Sequence, residues 1–414
     1  MIPYASIVRR LYGAVRATAP RPETPPEPLP FHRSDWSAEL VAQPTAETTP
    51  DARAAFEAQF RETYGLQPDT TVALVGSGRT SLDLGLSVLR QARPGRRKVV
   101  LPTYCCSALI QPIADNGLTA VFIDTTEQLI STRDQYVEAL GPDVLAVIVV
   151  NLCGRRLPTE DMDAIIRACR AAGAYAIEDN CQDTTRHHGS DAFDASMYSF
   201  GFAKPIRATA GGALAIRGHG EVAAAQLAGY ADQPDHAPAT RLRYYATRYG
   251  WPNNEIDTAE FSAARVEFGR VKMSALDITL AQESLRRLPA AQALVNSHSQ
   301  EIWRAIQQNV VIRPRTAAAP PPRNTFVRWP IILPSPDIAN LFWSHMNALG
   351  IELEGMYKPL HLTYEGEKIG KLAVAESIYT RIYNIPNRAN LDRDALSRII
   401  SALRSFSTDR LDAR

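Results

Sequence analysis

The sequence contains few lysines and few cysteines, and it has no long apolar run. Of the 45 basic residues only six are lysines, which makes each lysine in an apolar context more noticeable: Lys98, Lys204, Lys272, Lys358, Lys368 and Lys371. The five cysteines are odd in number and form no CxxC pair, so we expect no disulfide framework and a reducing, cytoplasmic compartment. No cysteine or histidine pair has zinc-ligand spacing, and no apolar run has the length of a transmembrane helix.

Charge and composition indicate an ordinary globular protein. The chain has 414 residues, 45% of them hydrophobic, which is enough for two domains or for one large domain with a smaller one attached. Its formal net charge is +1, so the sequence gives no reason to expect a nucleic-acid partner.

The first 50 residues differ from the rest of the chain. Residues 2–16 predict a helix with one apolar face and several arginines, and no acid precedes Glu23. A membrane-surface or targeting helix has this pattern, but a terminal helix that packs on its own subunit or on a partner is the favoured interpretation. Residues 19–30 are rich in proline and predict an extended connector.

From Thr71 onward, short apolar strands alternate with amphipathic helices. This alternation predicts an α/β fold with a mostly parallel central sheet flanked by helices. We expect a large domain over 51–288 and a smaller C-terminal α/β domain over 289–414, because the pattern loosens after Pro289. The tyrosine-rich stretch 230–251 predicts an irregular excursion from the sheet.

Two of the predicted strands end in residues that suggest chemistry. The apolar run 174–177 stops at Glu178 and Asp179, and the run 197–202 is followed by Lys204. Ligands of parallel sheets bind beyond the carboxyl ends of the strands. A lysine that forms a Schiff base and a carboxylate that pairs with a pyridinium nitrogen are the requirements of pyridoxal phosphate (PLP) chemistry. The alternative is a surface lysine and an acid at a strand end.

A glycine turn, Gly76-Ser77-Gly78, lies between the first predicted strand and a leucine-rich helix. Free backbone N–H groups at the start of such a helix suit a phosphate. The turn lacks the GKS ending of a P-loop and the dinucleotide GxGxxG pattern. Phosphate binding therefore depends on support from the later lysine.

Several separated motifs occur in a fixed order along the chain. They are SGRTSL at 77–82, NLCG at 151–154, EDNCQ at 178–182, SFGFAK at 199–204, GGAL at 211–214, GRVKM at 269–273 and YKPLH at 357–361. This ordered set resembles the DegT/StrS family of PLP-dependent sugar aminotransferases, from about Arg53 to the C-terminus. The resemblance implies the fold-type-I PLP transferase architecture.

The resemblance also implies roles for individual residues. Lys204 would hold PLP covalently and then move the proton, and Asp179 would keep the pyridine nitrogen protonated. Gln182 would lie near the phenolic oxygen of the cofactor. The phosphate would be bound by the 78–80 turn (Gly78, Arg79 and Thr80) and by the hydroxyl of Ser199.

The sequence departs from the family pattern at several of these positions. The phosphate-binding asparagine that family members receive from the neighbouring subunit is replaced by Arg270. The ring-stacking aromatic falls at Cys106, although Tyr104 could serve instead. The substrate candidates are Arg207, Tyr357 and His361.

The resemblance predicts an aminotransferase that converts a keto-sugar, nucleotide-linked in our interpretation, with glutamate or glutamine as donor. It implies a homodimer with shared active sites. Family members without the lysine carry out dehydration, and Lys204 argues against that reaction here. Two alternatives stay open: another PLP reaction in small-molecule biosynthesis, and a non-catalytic structural or regulatory relative.

Overall fold

The structure, a computed structural model, describes residues 27–30, 50–185, 192–233, 236–250, 269–312 and 327–408. The predicted helix at 2–16 lies outside these residues. The described end of the proline-rich connector is extended, since Leu29 pairs in parallel with Ile351. Its N–H donates to the carbonyl of Gly350 at 2.7 Å, so this end of the connector docks on the C-terminal part of the chain.

The described elements alternate as the sequence predicts. The strands are β1 (Thr70–Val75), β2 (Lys98–Pro102), β3 (Thr119–Ile123), β4 (Val144–Val150), β5 (Tyr175–Asp179), β6 (Ala195–Ser199), β7 (Gly212–Arg217), β8 (Val327–Ile332), β9 (Glu354–Gly355), β10 (Glu367–Lys368) and β11 (Ile382–Asn387). The helices are α1 (Pro50–Tyr64), α2 (Gly78–Ala92), α3 (Ile110–Asp115), α4 (Arg133–Glu138), α5 (Thr159–Ala172), α6 (Gly220–Ala228), α7 (His236–Gly250), α8 (Ala275–Gln308), α9 (Pro336–Ala348), α10 (Ala373–Tyr379) and α11 (Arg393–Ser405).

An eight-stranded sheet forms the centre of the molecule, in the order β1-β7-β6-β5-β4-β2-β3-β10. Strand β7 pairs antiparallel with both of its neighbours, and the other pairs in this sheet are parallel. The predicted fold class, a mostly parallel sheet flanked by helices, is therefore confirmed. All strands except β7 end at the same edge of the sheet.

Helices cover both faces of this sheet because its strands are apolar on both sides. All seven residues of β4 are buried, as expected for a central parallel strand. Helix α2 packs on one face with leucines such as Leu82 and Leu86, and α5 packs on the other with Ile165 and Ile166. Gly173 ends α5 in the left-handed region (φ 68°), where glycine carries no Cβ penalty.

The C-terminal part has a second, smaller core. Strands β8, β11 and β9 form a three-stranded antiparallel sheet. Its core joins Trp329 and Phe342 to Leu403 of α11 and to Ile302 of α8. Leu29 belongs to the same core, which explains why the end of the connector is fixed here.

Helix α8 is 34 residues long and contributes to both cores. Leu280 and Leu285 pack in the core of the large sheet, whereas Ile302 and Ile306 pack in the smaller core. The helix continues through Pro289, so the predicted domain boundary at 288/289 falls inside it. Strand β10 also crosses this division, because it extends the large sheet by pairing with β3.

The prediction of an irregular excursion at 230–251 is wrong for residues 236–250, which form helix α7. Pro238 stands at the third helical position, where a missing N–H breaks no intrahelical bond. Within the described ranges, none of the helices combines the length and the apolar character that crossing a membrane requires.

Candidate active site

The strand ends of the large sheet bring the predicted site residues to one edge. Val150 at the end of β4 is in register with Asp179 at the end of β5, and Asp179 is in register with Met197 of β6. The glycine turn after β1 is joined to the start of β7, because Gly211 donates its N–H to the carbonyl of Gly76 at 2.8 Å. Asp179, the loop that carries Lys204 and the turn therefore meet at the carboxyl edge, where ligands of such sheets bind.

Asp179 is a buried carboxylate with an exposed fraction of 6%. Its Oδ1 accepts the backbone N–H of Cys181 at 2.9 Å. Burial raises the pKa of Asp179, while the Cys181 hydrogen bond and the charge of Lys204 lower it. A cation bound beside this carboxylate would offset the cost of its burial.

Lys204 lies in the loop that connects β6 to β7. Its backbone N–H donates to the carbonyl of Gly201 at 3.0 Å, and the loop is closed by a 2.9 Å bond from Phe200 N–H to the Gly211 carbonyl. The side chain is half-buried. Among the residues that the structure describes, its Nζ has no ion-pair or hydrogen-bond partner, although its charge acts on Asp179 and Cys153. This amine is available to a ligand.

The end of the lysine loop is fixed by Asp277 in the first turn of α8. The carboxylate is fully buried, and its Oδ1 accepts the backbone N–H groups of Thr209 at 3.0 Å and Ala210 at 3.1 Å. Its Oδ2 accepts from Arg241 of α7 at 2.9 Å. Sequence reasoning missed both Asp277 and Arg241, because Asp277 lies 68 residues from Thr209 in the lysine loop and 36 residues from Arg241.

The glycine turn presents the N-terminus of α2 to the same edge. Ser77 Oγ accepts the N–H of Thr80 at 3.1 Å, and no acid occurs in the first turn of the helix. A Cβ on Gly78 would lie 2.7 Å from Ser199 Cβ and 3.2 Å from Cys181 Sγ, so only glycine allows this close approach. The helix N-terminus and the hydroxyl of Ser199 together suit an anion.

Gln182 connects the end of β5 to the C-terminal part of the chain. Its Nε2 donates to the hydroxyl of Tyr357 at 2.8 Å. Its Oε1 accepts the backbone N–H of Cys153 at 3.2 Å, and Cys153 has a left-handed backbone (φ 53°). The predicted cofactor residue Gln182 and substrate candidate Tyr357 are therefore in direct contact.

The two candidates for ring stacking differ in accessibility. Tyr104 is 1% exposed and its hydroxyl has no hydrogen-bond partner in the described structure. Cys106 is half-buried, and it lies close enough to Arg79 and Tyr357 to act on their pKa values. Cys106 is thus the more accessible of the two at this edge.

The remaining substrate candidates are Arg207 and His361. Arg207 is in the lysine loop, where its backbone N–H donates to Ser284 Oγ at 2.8 Å. His361 has a side chain that is 1% exposed and bridges two elements, with Nδ1 2.7 Å from Thr103 Oγ1 and Nε2 2.9 Å from Glu376 Oε1. Both ring nitrogens are thus engaged within the protein, and the substrate role of His361 stays a prediction.

Arg270 lies beside the glycine turn of its own chain. Its Nε is 3.0 Å from Asp83 Oδ2 of helix α2, and its side chain is 58% exposed. The adjacent carbonyl of Gly269 accepts from Thr80 Oγ1 at 3.2 Å. The segment 269–273 therefore packs directly on the turn that the sequence associates with phosphate.

A buried ionic cluster that the sequence did not reveal lies next to Asp179. Arg156 donates to Glu178 Oε1 and to Asp183 Oδ2, both at 2.6 Å. Asn151 Nδ2 donates to the same Glu178 oxygen at 3.0 Å and to Asn180 Oδ1 at 2.6 Å. The two adjacent carboxylates thus have different partners. Glu178 is held in this cluster, whereas Asp179 accepts from the backbone of Cys181. The available signal was the double arginine at 155–156 after a strand end.

Comparison with known proteins identifies the family. A sequence model of the DegT/DnrJ/EryC1/StrS aminotransferase family matches residues 38–404. The chain belongs to this family, which confirms the resemblance and the prediction of an aminotransferase. No curated protein sequence matches the chain.

Solved structures share the fold at low sequence identity. The aminotransferase TlmJ from Streptoalloteichus hindustanus superimposes with a TM-score of 0.68 at 23% identity, covering 91% of this chain and 98% of that chain. Helicobacter pylori PseC, an aminotransferase of pseudoaminic acid biosynthesis, gives 0.67 at 14% identity, with coverages of 91% and 98%. Escherichia coli GDP-4-keto-6-deoxy-D-mannose-3-dehydratase with bound hydrated PLP gives 0.69 at 15% identity, with coverages of 91% and 100%.

The family is PLP-dependent, and the residues at the carboxyl edge fit this cofactor. The buried Asp179 carboxylate suits a positively charged ring nitrogen, and the N-terminus of α2 with Ser199 suits a phosphate. The amine of Lys204 is free to react with an aldehyde. These three features come from three different strand ends of one sheet edge.

Proposed function

We propose that this chain is a cytoplasmic PLP-dependent aminotransferase that converts a nucleotide-linked keto-sugar to an amino-sugar, with glutamate or glutamine as amino donor. The observation that carries the proposal is that an unengaged lysine, Lys204, and a buried carboxylate, Asp179, lie at one sheet edge. Five free cysteines agree with a reducing compartment.

Each residue contributes through its own chemistry. PLP, when bound, supplies an electron sink for the carbon that carries the amino group. Asp179 would hold the proton on the ring nitrogen, and its burial would strengthen this ion pair. Lys204 would anchor the cofactor and then move a proton at the reacting carbon.

The phosphate would be bound by Gly78, Arg79 and Thr80 at the start of α2, with Ser199. Gln182, held by Tyr357 and Cys153, would support the phenolic oxygen. Cys106 is the proposed neighbour of the ring face, since Tyr104 is buried. Arg207 and Tyr357 would face the substrate.

The presence of Lys204 favours amino transfer over dehydration. The same fold serves an aminotransferase and a dehydratase among the solved structures, so the fold alone does not choose between them. A free amine that can move protons and be released by an incoming amine supports amino transfer.

The test is a screen of the two half-reactions, followed through the visible absorbance of the cofactor. We expect L-glutamate or L-glutamine to convert the bound cofactor to its amino form, and a nucleotide-linked keto-sugar to restore the aldehyde form. The matched control is the same sugar without the nucleotide. A protein that binds no cofactor would contradict the proposal in favour of a non-catalytic relative. A protein that accepts donors but only non-sugar acceptors would contradict the substrate assignment.

We also propose a homodimer in which Arg270 serves the phosphate of the partner subunit. Its side chain is more than half exposed in the single chain, although it lies beside the phosphate-binding turn. A subunit interface would cover this guanidinium, whose charge suits a phosphate.

Mixing two inactive variants tests the shared site. Arg270→Glu would repel a phosphate dianion, and Lys204→Ala removes the amine. If Arg270 acts in trans, a hybrid dimer carries both lesions in one site and leaves the other intact, so we expect activity to return on subunit exchange. Exchange is followed by native mass spectrometry. Lack of recovery despite confirmed exchange would show that each chain uses its own Arg270, and full activity of Arg270→Glu alone would remove this residue from the cofactor site.

A further inference from the structure

Arg155 lies at the same corner as Gln182, directly after the end of β4. The chain reverses there through Cys153 (φ 53°) and Gly154 (φ 70°), and the N–H of Arg155 donates to the Leu152 carbonyl at 3.0 Å. The N–H of Cys153 meanwhile bonds to Gln182. The turn thus delivers the arginine to the edge that carries Asp179 and Lys204.

The side chain of Arg155 has no counter-ion among the residues that the structure describes. Its Nε is buried, and no hydrogen-bond partner for it lies within the described ranges. The arginines around it are neutralised: Arg156 by Glu178 and Asp183, and Arg328 by a two-fold contact with Glu354 at 2.7 and 3.2 Å. Arg155 as a whole is half-buried, and leaving its Nε buried without a partner is costly, so a bound anion would stabilise this arrangement.

Arg155 and Lys204 both act electrostatically on the Cys153 thiol. Burial raises the pKa of the Cys153 thiol to about 11, and the charge of Glu354 also raises it, whereas the charges of Arg328, Arg155 and Lys204 lower it. The thiol therefore lies within the electrostatic influence of all three cations. Burial lowers the pKa of Arg155, and the Cys153 thiol is the group that opposes this. Of these three cations, Arg328 is paired with Glu354, whereas Arg155 and Lys204 have no ion-pair partner among the described residues.

We propose that Arg155 binds the α-carboxylate of the amino donor, an inference that rests on the proposed aminotransferase function. The planar guanidinium can hold a carboxylate through two parallel N–H groups. The α-carboxylate is attached to the reacting carbon of an amino acid, so it must lie near the lysine that moves the proton. The phosphates of a nucleotide-linked sugar are separated from the reacting carbonyl by the sugar ring. An anion site at Arg155, near Lys204, therefore suits the α-carboxylate of the amino donor.

The experiment compares three variants in the separate half-reactions. Arg155→Gln removes the charge, and Arg155→Lys keeps the charge but lacks the two parallel N–H groups of the guanidinium. The control Arg286→Gln removes an exposed arginine of α8 that pairs with Glu283. L-Glutamate and L-glutamine are tested in parallel, because both carry the α-carboxylate and only glutamate carries a second one. The affinity for each donor is measured through the absorbance of the bound cofactor, and the acceptor half-reaction is started from the amino form.

We expect Arg155→Gln to weaken both donors by a similar factor, on the order of 10- to 100-fold, as loss of a charged hydrogen-bond pair does. The affinity for the acceptor should not change. Arg155→Lys should recover part of the loss, and Arg286→Gln should behave like the unmodified protein. A loss confined to glutamate would overturn the α-carboxylate assignment, and a loss confined to the acceptor would assign the anion to the sugar nucleotide instead. No loss in either half-reaction would overturn the proposal altogether.

A binding measurement keeps this proposal separate from the proposed function. (2S)-2-Hydroxyglutarate carries the α-carboxylate but no amine, so its binding is measured by calorimetry without turnover. Arg155→Gln should weaken it by a factor similar to that for the donors, and unchanged binding would count against the proposal. If no donor is converted while this binding still depends on Arg155, the aminotransferase assignment fails and the carboxylate site stands.

Discussion

Replacing Lys204 with alanine is expected to abolish amino transfer, with a loss on the order of 10⁴-fold or more, because both the anchor and the proton-moving group disappear. The side chain of Lys204 makes no hydrogen bond or ion pair with the described residues, so its loss leaves no buried partner unsatisfied. The protein should therefore stay folded. Loss of the visible absorbance of covalently held cofactor is the direct measurement.

Borohydride reduction followed by peptide mapping identifies the attached lysine. The modified residue should be Lys204, and the matched controls are Lys272→Ala and Lys358→Ala. Lys272 forms an ion pair with Asp232 at 3.5 Å, and Lys358 is exposed, so neither replacement should affect attachment. A pyridoxyl group found on Lys272 or Lys358 would show that the assignment is wrong.

Asp179→Asn is expected to reduce turnover on the order of 10²- to 10³-fold, as the loss of one buried electrostatic partner does. An amide cannot stabilise the protonated ring nitrogen, so the cofactor would become a poorer electron sink. Its oxygen can still accept the Cys181 N–H, which preserves the local fold. Cofactor should still bind through the lysine and the phosphate contacts, so absorbance should persist while steady-state turnover falls.

The neighbouring acid provides the contrast for Asp179. Glu178 is held by Arg156, Asn151 and Asn180, so it has no free oxygen for a cofactor. Glu178→Gln should lower stability in urea, because it weakens a buried ionic cluster, and should leave the spectrum of the bound cofactor unchanged. Near-normal turnover of Asp179→Asn would remove this residue from the chemistry.

The fold was predictable where continuous apolar runs in the sequence indicate buried strands. Continuous apolar runs such as 144–150 predict central parallel strands, and all of β4 is indeed buried. The same reasoning predicted that Asp179 and Lys204 lie at one edge of the sheet, because the carboxyl ends of parallel strands meet at the same edge. Their chemical roles stay predictions, since a strand end fixes a position and not a function.

The parts that the sequence did not reveal depend on contacts between distant residues. The stretch 236–250 has no clear apolar period, and it forms a helix whose Arg241 is buried against Asp277. The boundary was predicted at Pro289 because the strand and helix pattern loosens after it, and a proline inside a helix removes an intrahelical hydrogen bond. Packing of α8 in two separate cores outweighs that local cost. The counter-ions of Arg156, which distinguish it from Arg155, likewise come from another strand end.

Helix α8 has a consequence for how the protein melts. Its first turn fixes the lysine loop through Asp277, while its last turns form part of the C-terminal core. A single rigid element thus belongs to both halves of the chain, so neither half can lose its structure without disturbing the other. Positions 288 and 289 lie inside this helix. The chain should unfold as one cooperative unit. Loosening of the C-terminal core would then also free the loop that carries Lys204 from its contacts with Asp277.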